Sequence, residues 1–129
     1  MFNPTFYSRQ KKISQSGDRI QCAIAISALR IISADGAGKA IYADNSLANP
    51  ILGLSLSAGA IGDFISYLPE GIYTDSGWNW NVNQALFLIA NGQMSQTPPT
   101  SGYIVQVGYA NSATTIMFSP DFDSYLIGG

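Results

Sequence analysis

The chain has 129 residues and a net charge of −2, and 47% of its residues are apolar while only 11% are charged. This length suits one ordinary domain and is too short for two. Charged residues usually make up about a quarter of a globular domain. The low charge content therefore favours a protein that buries much of its surface in an assembly, with a polar but uncharged monomer as the alternative.

The basic residues are confined to the N-terminal part of the chain. All six Lys and Arg lie in the first 39 residues, and every charged residue from position 40 onward is acidic. Residues 1–17 carry aromatics and a proline without a clear period, which predicts an extended arm that ends at the turn signal SGD. A basic head on an acidic body favours an arm that reaches an acidic protein surface, with a frayed terminus as the alternative. It disfavours nucleic acid, because the body has no basic face for a phosphate backbone.

Cysteine usage and the N-terminus bear on where the protein is made. A single cysteine, Cys22, excludes an intrachain disulfide and fits folding in a reducing compartment. The N-terminus MFNPTFYSRQKK lacks the apolar centre of a signal peptide, and no run approaches the ~20 apolar residues of a membrane span. We therefore expect synthesis in a cytoplasm, no membrane partner, and exit by lysis or within a particle.

Strand signals dominate the first half of the chain. IQCAIAISA, 20–28, places its larger side chains at every second position, and a period of two indicates a strand. LRIIS, 29–33, is predicted to continue extended, ADGAGK to turn, and AIYAD, 40–44, to form the next strand. ILGLSLS, 51–57, alternates again, so we expect Leu52, Leu54 and Leu56 to share one face.

Hairpin signals dominate the second half. In 62–74 the turn LPEG predicts a hairpin, with Pro69 at the second turn position and Gly71 at the fourth. In 83–96 the pair Asn91-Gly92 predicts a type I′ hairpin turn, whose two central residues both need positive φ. TPPTSG is predicted to be a rigid loop. The last strands are 103–110 and 114–118, with one face made of Tyr103, Val105, Val107 and Tyr109.

About nine short strands and no convincing helix predict an all-β fold, a single small β-barrel or sandwich of antiparallel strands. The predicted organisation is an N-terminal arm (1–17), a β-domain (18–118) and a C-terminal tail (119–129). There is also a faint internal echo between LGLSLSA, 52–58, and VGYANSA, 107–113. The echo predicts two strands that occupy similar corners of the fold.

The sequence offers little catalytic chemistry. It has no histidine, the usual general base and the commonest zinc ligand, and no glycine-rich phosphate loop. Asp121 and Asp123 are the closest pair of carboxylates, which glycoside hydrolysis would need, and we expect them in a solvated tail. We therefore predict no enzyme activity, no catalytic residues, no cofactor and no metal site.

The segment GWNWNVNQALFLIANGQMSQTPPTSGYIVQVGYANSATTIMF resembles the conserved β-domain of small bacteriophage capsid decoration (cement) proteins and of related head- or tail-fibre ends. Upstream, GKAIYADNSLANPILGLSLSAGAIGDFISYLPEGIYT resembles the other half of that domain, so the resemblance covers about residues 30–118. Its most specific pieces are Trp78 with Trp80, Asn91-Gly92, the run 96–102 and Val107-Gly108. The chain departs from the pattern at Asn79 and the run NVNQ, where a Pro-Gly turn is common.

The resemblance implies a homotrimeric virion protein of the capsid surface, synthesised in the bacterial host cytoplasm. Its partners would be the major capsid protein and other copies of itself. In this hypothesis the arm staples neighbouring capsid subunits through aromatic and basic side chains: Phe2, Phe6, Tyr7, Arg9, Lys11 and Lys12. The alternative is a head- or tail-fibre module that binds a host surface glycan.

Trp78 and Trp80 have three possible roles. They can cover the end of the β-barrel core, with an indole N–H bonded to a loop carbonyl and with Pro98 or Pro99 stacked on the other ring. They can form a contact between subunits. As coplanar rings they can also form a sugar-binding platform, which we consider the weakest of the three.

Overall fold

A computed structural model describes residues 18–47, 49–120 and 125–127, which form twelve short β-strands and one 3-10 turn, Ala90–Gly92, and contain no α-helix. The strands are β1 Asp18–Gln21, β2 Ile31–Ala34, β3 Ala40–Tyr42, β4 Ile51–Ser55, β5 Phe64–Leu68, β6 Gly71–Thr74, β7 Ala85–Leu88, β8 Met94–Ser95, β9 Gly102–Ile104, β10 Gln106–Ala110, β11 Thr115–Phe118 and β12 Tyr125–Ile127. The all-β prediction is confirmed, with more strands than the nine expected.

Ten of the strands form two antiparallel sheets of five. The first sheet has the order β1-β5-β4-β2-β3 and the second has β6-β11-β10-β7-β8, while β12 pairs with β9 in a separate ribbon. One parallel bridge joins Cys22 to Ala40 of β3, so the chain after β1 meets the opposite edge of the first sheet and this sheet curls. The twelve strands do not close into one barrel.

Apolar side chains of both sheets meet in one larger cluster. Its buried members are Ile31, Ala43, Leu54, Leu68, Leu86, Leu88, Val105, Val107, Ile116 and Phe118. A smaller cluster lies on the opposite face of the first sheet and consists of Cys22, Ile26, Ile32, Ala40 and Ile65. Adjacent residues Ile31 and Ile32 enter different clusters because successive side chains of a strand point to opposite faces. The first sheet therefore has a hydrophobic cluster on each face.

The two sheets come from consecutive segments of the chain with the same topology. Residues 18–68 supply the first sheet, and residues 71–118 supply the second. When the five strands of each sheet are numbered in chain order, both sheets have the spatial order first, fifth, fourth, second, third. We call these segments the first and second repeats.

Backbone details repeat as well. Leu29 and Asn83 precede the second strand of their repeats and have positive φ of 63° and 66°. Each donates its N–H to the last residue of the fourth strand, Leu29 to Ser55 O at 2.7 Å and Asn83 to Ala110 O at 2.8 Å. Asparagine tolerates this conformation much better than leucine does. The shared geometry at both sites supports the equivalence of the repeats.

The fourth strand of each repeat contains a β-bulge followed by a glycine. The register shifts at Leu52 between β4 and β2, and at Val107 between β10 and β7. A Cβ at Gly53 would collide with the carbonyl of Leu68, and one at Gly108, which also has φ of 151°, would collide with the carbonyl of Met117. The echo LGLSLSA and VGYANSA thus lies at equivalent bulged strands, in two sheets instead of one barrel.

The bulges overturn two predictions of shared faces. Because the bulge adds one residue to the strand, the alternation of side chains changes parity there. Leu52 packs against the smaller cluster, whereas Leu54 and Leu56 contact the larger one. In the second repeat Val107 is fully buried while Tyr109 is 43% exposed on the opposite side.

Two further strand predictions are wrong. The predicted strand 20–28 ends at Gln21, and Ile26 retains only an isolated bridge to Gly59. The predicted hairpin 62–74 does not form, because β5 pairs with β1 and β4 whereas β6 pairs with β11. The turn at Pro69 instead carries the chain from the first sheet to the second, since turn residues specify a change of direction and not the next pairing partner.

The hairpin at Asn91-Gly92 is confirmed. Asn91 and Gly92 have φ of 56° and 71°. Gln93 N–H donates to Ala90 O at 3.2 Å, and the flanking strands β7 and β8 pair. Local turn chemistry decided this element, as expected for a turn whose two central residues both need positive φ.

Candidate functional site

Side chains that could together hold a metal ion are not grouped in the described part of the chain. Among residues 18–47, 49–120 and 125–127, no three side chains of His, Cys, Asp or Glu are grouped so as to hold a metal ion. No helix in this part of the chain is long and apolar enough to cross a membrane. Asp121 and Asp123 lie outside the described residues. The candidate site is therefore the loop that carries the two tryptophans.

The loop of residues 75–84, here called the tryptophan loop, connects β6 to β7 and is fixed by backbone hydrogen bonds. Asp75 N–H donates to Thr114 O at 2.9 Å, and Trp80 N–H donates to Ala113 O at 2.8 Å. Trp78 N–H donates to Asp75 O at 3.1 Å, while the Asp75 carboxylate accepts from Gly77 N–H. The loop is thus held against the turn between β10 and β11 at several points.

The two indole rings are partly buried and pack against the larger cluster. Their centroids lie 5.9 Å apart and their planes are inclined by 51°. Tyr73 extends the group, with its ring edge-on to Trp78 at 6.2 Å. A flat sugar platform needs exposed coplanar rings, so the coplanar arrangement expected for that role is wrong.

Trp80 occupies the place that Ile26 holds in the first repeat. Ile26 N–H donates to Gly59 O, in the loop between β4 and β5, as Trp80 N–H donates to Ala113 O between β10 and β11. Ile26 is 3% exposed in the smaller cluster, and Trp80 lies on the larger one. The larger side chain thus matches the larger cluster at the equivalent position.

The polar atom of Trp80 is not paired as we expected. Its indole Nε1 is buried and has no hydrogen-bond partner among the described residues. A buried N–H without an acceptor costs about 1–3 kcal/mol. The loop carbonyl that the sequence suggested as its acceptor is therefore not found in this part of the chain.

Gln96 joins the tryptophan loop to the run 96–102. Its Oε1 accepts from Asn81 N–H at 2.8 Å, and its Nε2 donates to Asn81 O at 2.8 Å and to Gln84 O at 3.4 Å. The side-chain amide thus pairs with both backbone groups of Asn81, much as a neighbouring strand would. Two of the most specific pieces of the resembling pattern are brought together by this residue.

Asn45 holds the other end of the same run. Its Nδ2 donates to Ser101 O at 3.0 Å, and its backbone O accepts from Tyr103 N–H at 2.7 Å. Gly102 has φ of 78°, and a Cβ there would press on the Asn45 carbonyl. Between these ends, Pro98 is exposed and Pro99 is partly buried. The run 96–102 is therefore fixed to the second repeat by Gln96 and to the first by Asn45.

The turn at Asn91-Gly92 is also tied to the first repeat. Gly92 N–H donates to Ala43 O at 2.7 Å, and a Cβ at Gly92 would collide with the carbonyl of Ile31. Arg30 Nη1 donates to Asn91 O at 2.9 Å, while its guanidinium lies 5.2 Å from the Tyr42 ring centre. Only a glycine permits this close approach with positive φ.

Asp44 caps the same junction. Its Oδ1 accepts from Ser46 N–H and Oγ, and its Oδ2 accepts from Asn91 N–H at 3.3 Å. Partial burial alone would raise the pKa of Asp44, but these hydrogen bonds outweigh it and hold the pKa below its ordinary value. The carboxylate is therefore a structural acceptor that links the two repeats.

The remaining reactive groups have structural settings too. Cys22 is a buried free thiol whose pKa is raised by burial and by the nearby charge of Asp63. A raised pKa disfavours the nucleophilic thiolate. The pKa of Asp35 is lowered by the backbone N–H groups of Lys39 and Ala37, in the turn that the sequence predicted.

Sequence reasoning placed some of these residues and missed others. The six arm residues Phe2, Phe6, Tyr7, Arg9, Lys11 and Lys12 lie outside the described residues, so their role remains a prediction. The structure joins the loop that carries Trp78 and Trp80 to the run 96–102 through Gln96. Gln96, Asn45 and Asp44 were not singled out as ties, and the only signal was their position inside the resembling motifs.

Comparison with known proteins identifies no family. No model of a known protein family matches the chain. No curated protein matches it either.

Proposed function

We propose that the chain is a structural protein of a bacteriophage virion, a capsid cement protein that trimerises on the head and staples neighbouring capsid subunits. In this proposal the two sheets act as a rigid β-sandwich, and residues 1–17 form the arm that reaches the capsid. The proposal rests on the resemblance of residues 30–118 to phage decoration domains.

One observation carries the proposal beyond the resemblance. The residues of the resembling motifs serve as ties between the two repeats: Gly92 and Asp44 at one junction, and Asn45 with Gly102 at another. A motif built from ties preserves a shape, whereas a catalytic motif preserves reactive groups. A rigid, weakly charged body that displays a surface is what a cement protein needs.

The fibre alternative, in which Trp78 and Trp80 bind a glycan, gains no support from the ring geometry. The rings are inclined by 51° and partly buried against the larger cluster. Stacking of a sugar on two rings needs both faces open to solvent and nearly parallel.

The stoichiometry of purified virions tests the proposal. We expect this chain at a copy number of the same order as the major capsid protein, measured by quantitative mass spectrometry. A handful of copies per particle would contradict a lattice-wide cement and support the fibre alternative.

The arm is tested separately by single charge reversals. Lys11→Glu should weaken binding to capsids, because the arm is expected to meet acidic rims. Lys39→Glu is the matched control, since Lys39 is an exposed lysine in a turn of the body. Equal binding by the two variants, or unchanged binding after deletion of residues 1–16, would exclude the arm as the staple.

A further inference from the structure

The second sheet has an outer face that points away from the larger cluster. Its apolar members form a row across four strands, because Ile72 pairs with Met117, Met117 with Tyr109, and Tyr109 with Ala85. Phe87, two residues beyond Ala85, lies on the same side. Paired residues share a face of the sheet, so these five side chains form one contiguous surface, here called the outer face.

This surface is open to solvent in the described part of the chain. Ile72 is 56% exposed and Tyr109 is 43% exposed, and the other three members are partly exposed. The residues between them on the same strands, such as Tyr73, Leu86 and Ile116, belong to the larger cluster or pack on it. The second sheet is therefore apolar on both faces, although only one face is covered by other described residues.

The outer face also carries no charge. The other outward positions of these strands and of β8 hold threonine, serine and glutamine, and Thr74 Oγ1 and Thr115 Oγ1 lie 2.7 Å apart. A solvated face of an antiparallel sheet ordinarily alternates polar or charged residues outward. A sheet face with an apolar row and no charge is typical of a buried interface.

The first repeat shows that this set of positions is a packing surface. Register equates Ala85 and Tyr109 with Ile31 and Leu54, the pair at the same place in the first sheet. Ile31 and Leu54 are both 0% exposed, because the second sheet covers them. The outer face of the second sheet is the equivalent surface, and no described residue covers it.

We propose that the outer face is where copies of this chain meet one another. A surface without charge can face its own copies around a symmetry axis with no repulsion between like charges. The basic arm, by contrast, would find no carboxylate on it. This inference rests on the homotrimer in the proposed function and assigns the trimer contact to β6, β7, β10 and β11.

The test compares two matched isoleucine variants by sedimentation equilibrium. Ile72→Lys places a charge in the row, whereas Ile61→Lys places the same charge at a loop residue that is 72% exposed in the first repeat. We expect wild type to self-associate, Ile72→Lys and Tyr109→Lys to lower the association constant by at least about tenfold, and Ile61→Lys to leave it unchanged. Circular dichroism and the urea midpoint check folding, and Ile72→Thr and Tyr109→Thr replace any lysine variant that unfolds.

Several outcomes would overturn the inference. Wild type that stays monomeric to high concentration would exclude self-association. An equal loss of the association constant in all three lysine variants would exclude this face as the contact. A monomer whose binding to virions is lost in Ile72→Lys would show that another virion protein covers the face. The copy number in virions is measured independently of self-association. A high copy number with unchanged association in Ile72→Lys would identify a cement protein that associates through another face. A low copy number with weakened association in Ile72→Lys would identify a self-associating protein that is not a cement protein.

Discussion

The two repeats share one topology but use their sheets differently. The first sheet, built by residues 18–68, has a hydrophobic cluster on each face, one of them shared with the second sheet. The second sheet, built by residues 71–118, covers the first and leaves its own outer face exposed at Ile72 and Tyr109. Equivalent positions thus have different environments because the second repeat packs onto the first, whereas none of the described residues packs onto the outer face of the second.

The two repeats are most alike at their β-bulges. We expect substitution of the glycine that follows each bulge to have the largest effect on the free energy of unfolding. Gly108→Ala should destabilise the fold by about 4 kcal/mol, because it combines a backbone collision with unfavourable φ. Gly53→Ala should cost less, about 2–3 kcal/mol, since it has the collision alone. Urea unfolding measures both.

Gly36→Ala is the control for these variants, because nothing lies within 4 Å of a Cβ at Gly36. It should change stability by about 0.5 kcal/mol or less. A Gly53→Ala variant as stable as wild type would show that the two bulges differ in their packing, and would contradict the equivalence of the repeats at this position.

The contrast between equivalent positions is sharpened by Leu54→Ala and Tyr109→Ala. Leu54 is fully buried between the sheets, so its loss should cost about 3 kcal/mol. Tyr109 is exposed on the outer face, so its truncation should cost about 1 kcal/mol or less when the protein is monomeric. Both values come from urea unfolding at the lowest workable concentration.

Similar costs for the two variants under those conditions would mean that the outer face is already covered within one chain. A cost for Tyr109→Ala that grows with protein concentration would instead follow from association of folded copies.

The tie between the tryptophan loop and the run 96–102 should have an intermediate effect. Gln96→Ala removes the hydrogen bonds to Asn81 and Gln84 and should destabilise by about 1–2 kcal/mol. Tryptophan fluorescence should change as well, because the loop that carries Trp78 and Trp80 loses its support.

Gln93→Ala is the matched control, since Gln93 is exposed and, among the described residues, only its backbone takes part in the hydrogen bonds of the turn. Identical spectra for the two variants would show that Gln96 does not hold the loop.

The smallest effect concerns pH and the junction at Asp44. The pKa of Asp44 is lowered in the folded protein, so its contribution to stability is present above the unfolded pKa of about 3.9 and is lost as pH falls through the folded value. Asp44→Asn should therefore reduce the drop in urea midpoint between pH 7 and pH 3. Part of the drop should remain in Asp44→Asn, because the pKa of Asp35 is also lowered in the folded protein.

Glu70→Gln, at an exposed carboxylate in the crossover between the sheets, is the control and should keep the wild-type drop. An Asp44→Asn profile that overlays wild type from pH 7 to pH 3 would contradict the role given to this carboxylate.

Local residue patterns determined the all-β class and several turns. Alternation of apolar residues marked most strands, since a strand with one buried face repeats every two residues. Asn91-Gly92 fixed its hairpin because few other pairs tolerate two positive φ values. The echo between residues 52–58 and 107–113 marked equivalent strands, because a bulge followed by a close backbone contact requires glycine in both.

Tertiary packing decided what those patterns left open. The bulges at Leu52 and Val107 reversed the predicted faces of Leu52 and Tyr109, since one extra residue shifts the alternation. The turn at Pro69 joined two sheets instead of closing a hairpin, because pairing depends on which partner strand is available. By itself the sequence determined β-structure, its turns and a surface poor in charge. Only the packing of one repeat on the other decided which apolar face is buried and which remains open, because burial depends on residues far apart in the chain.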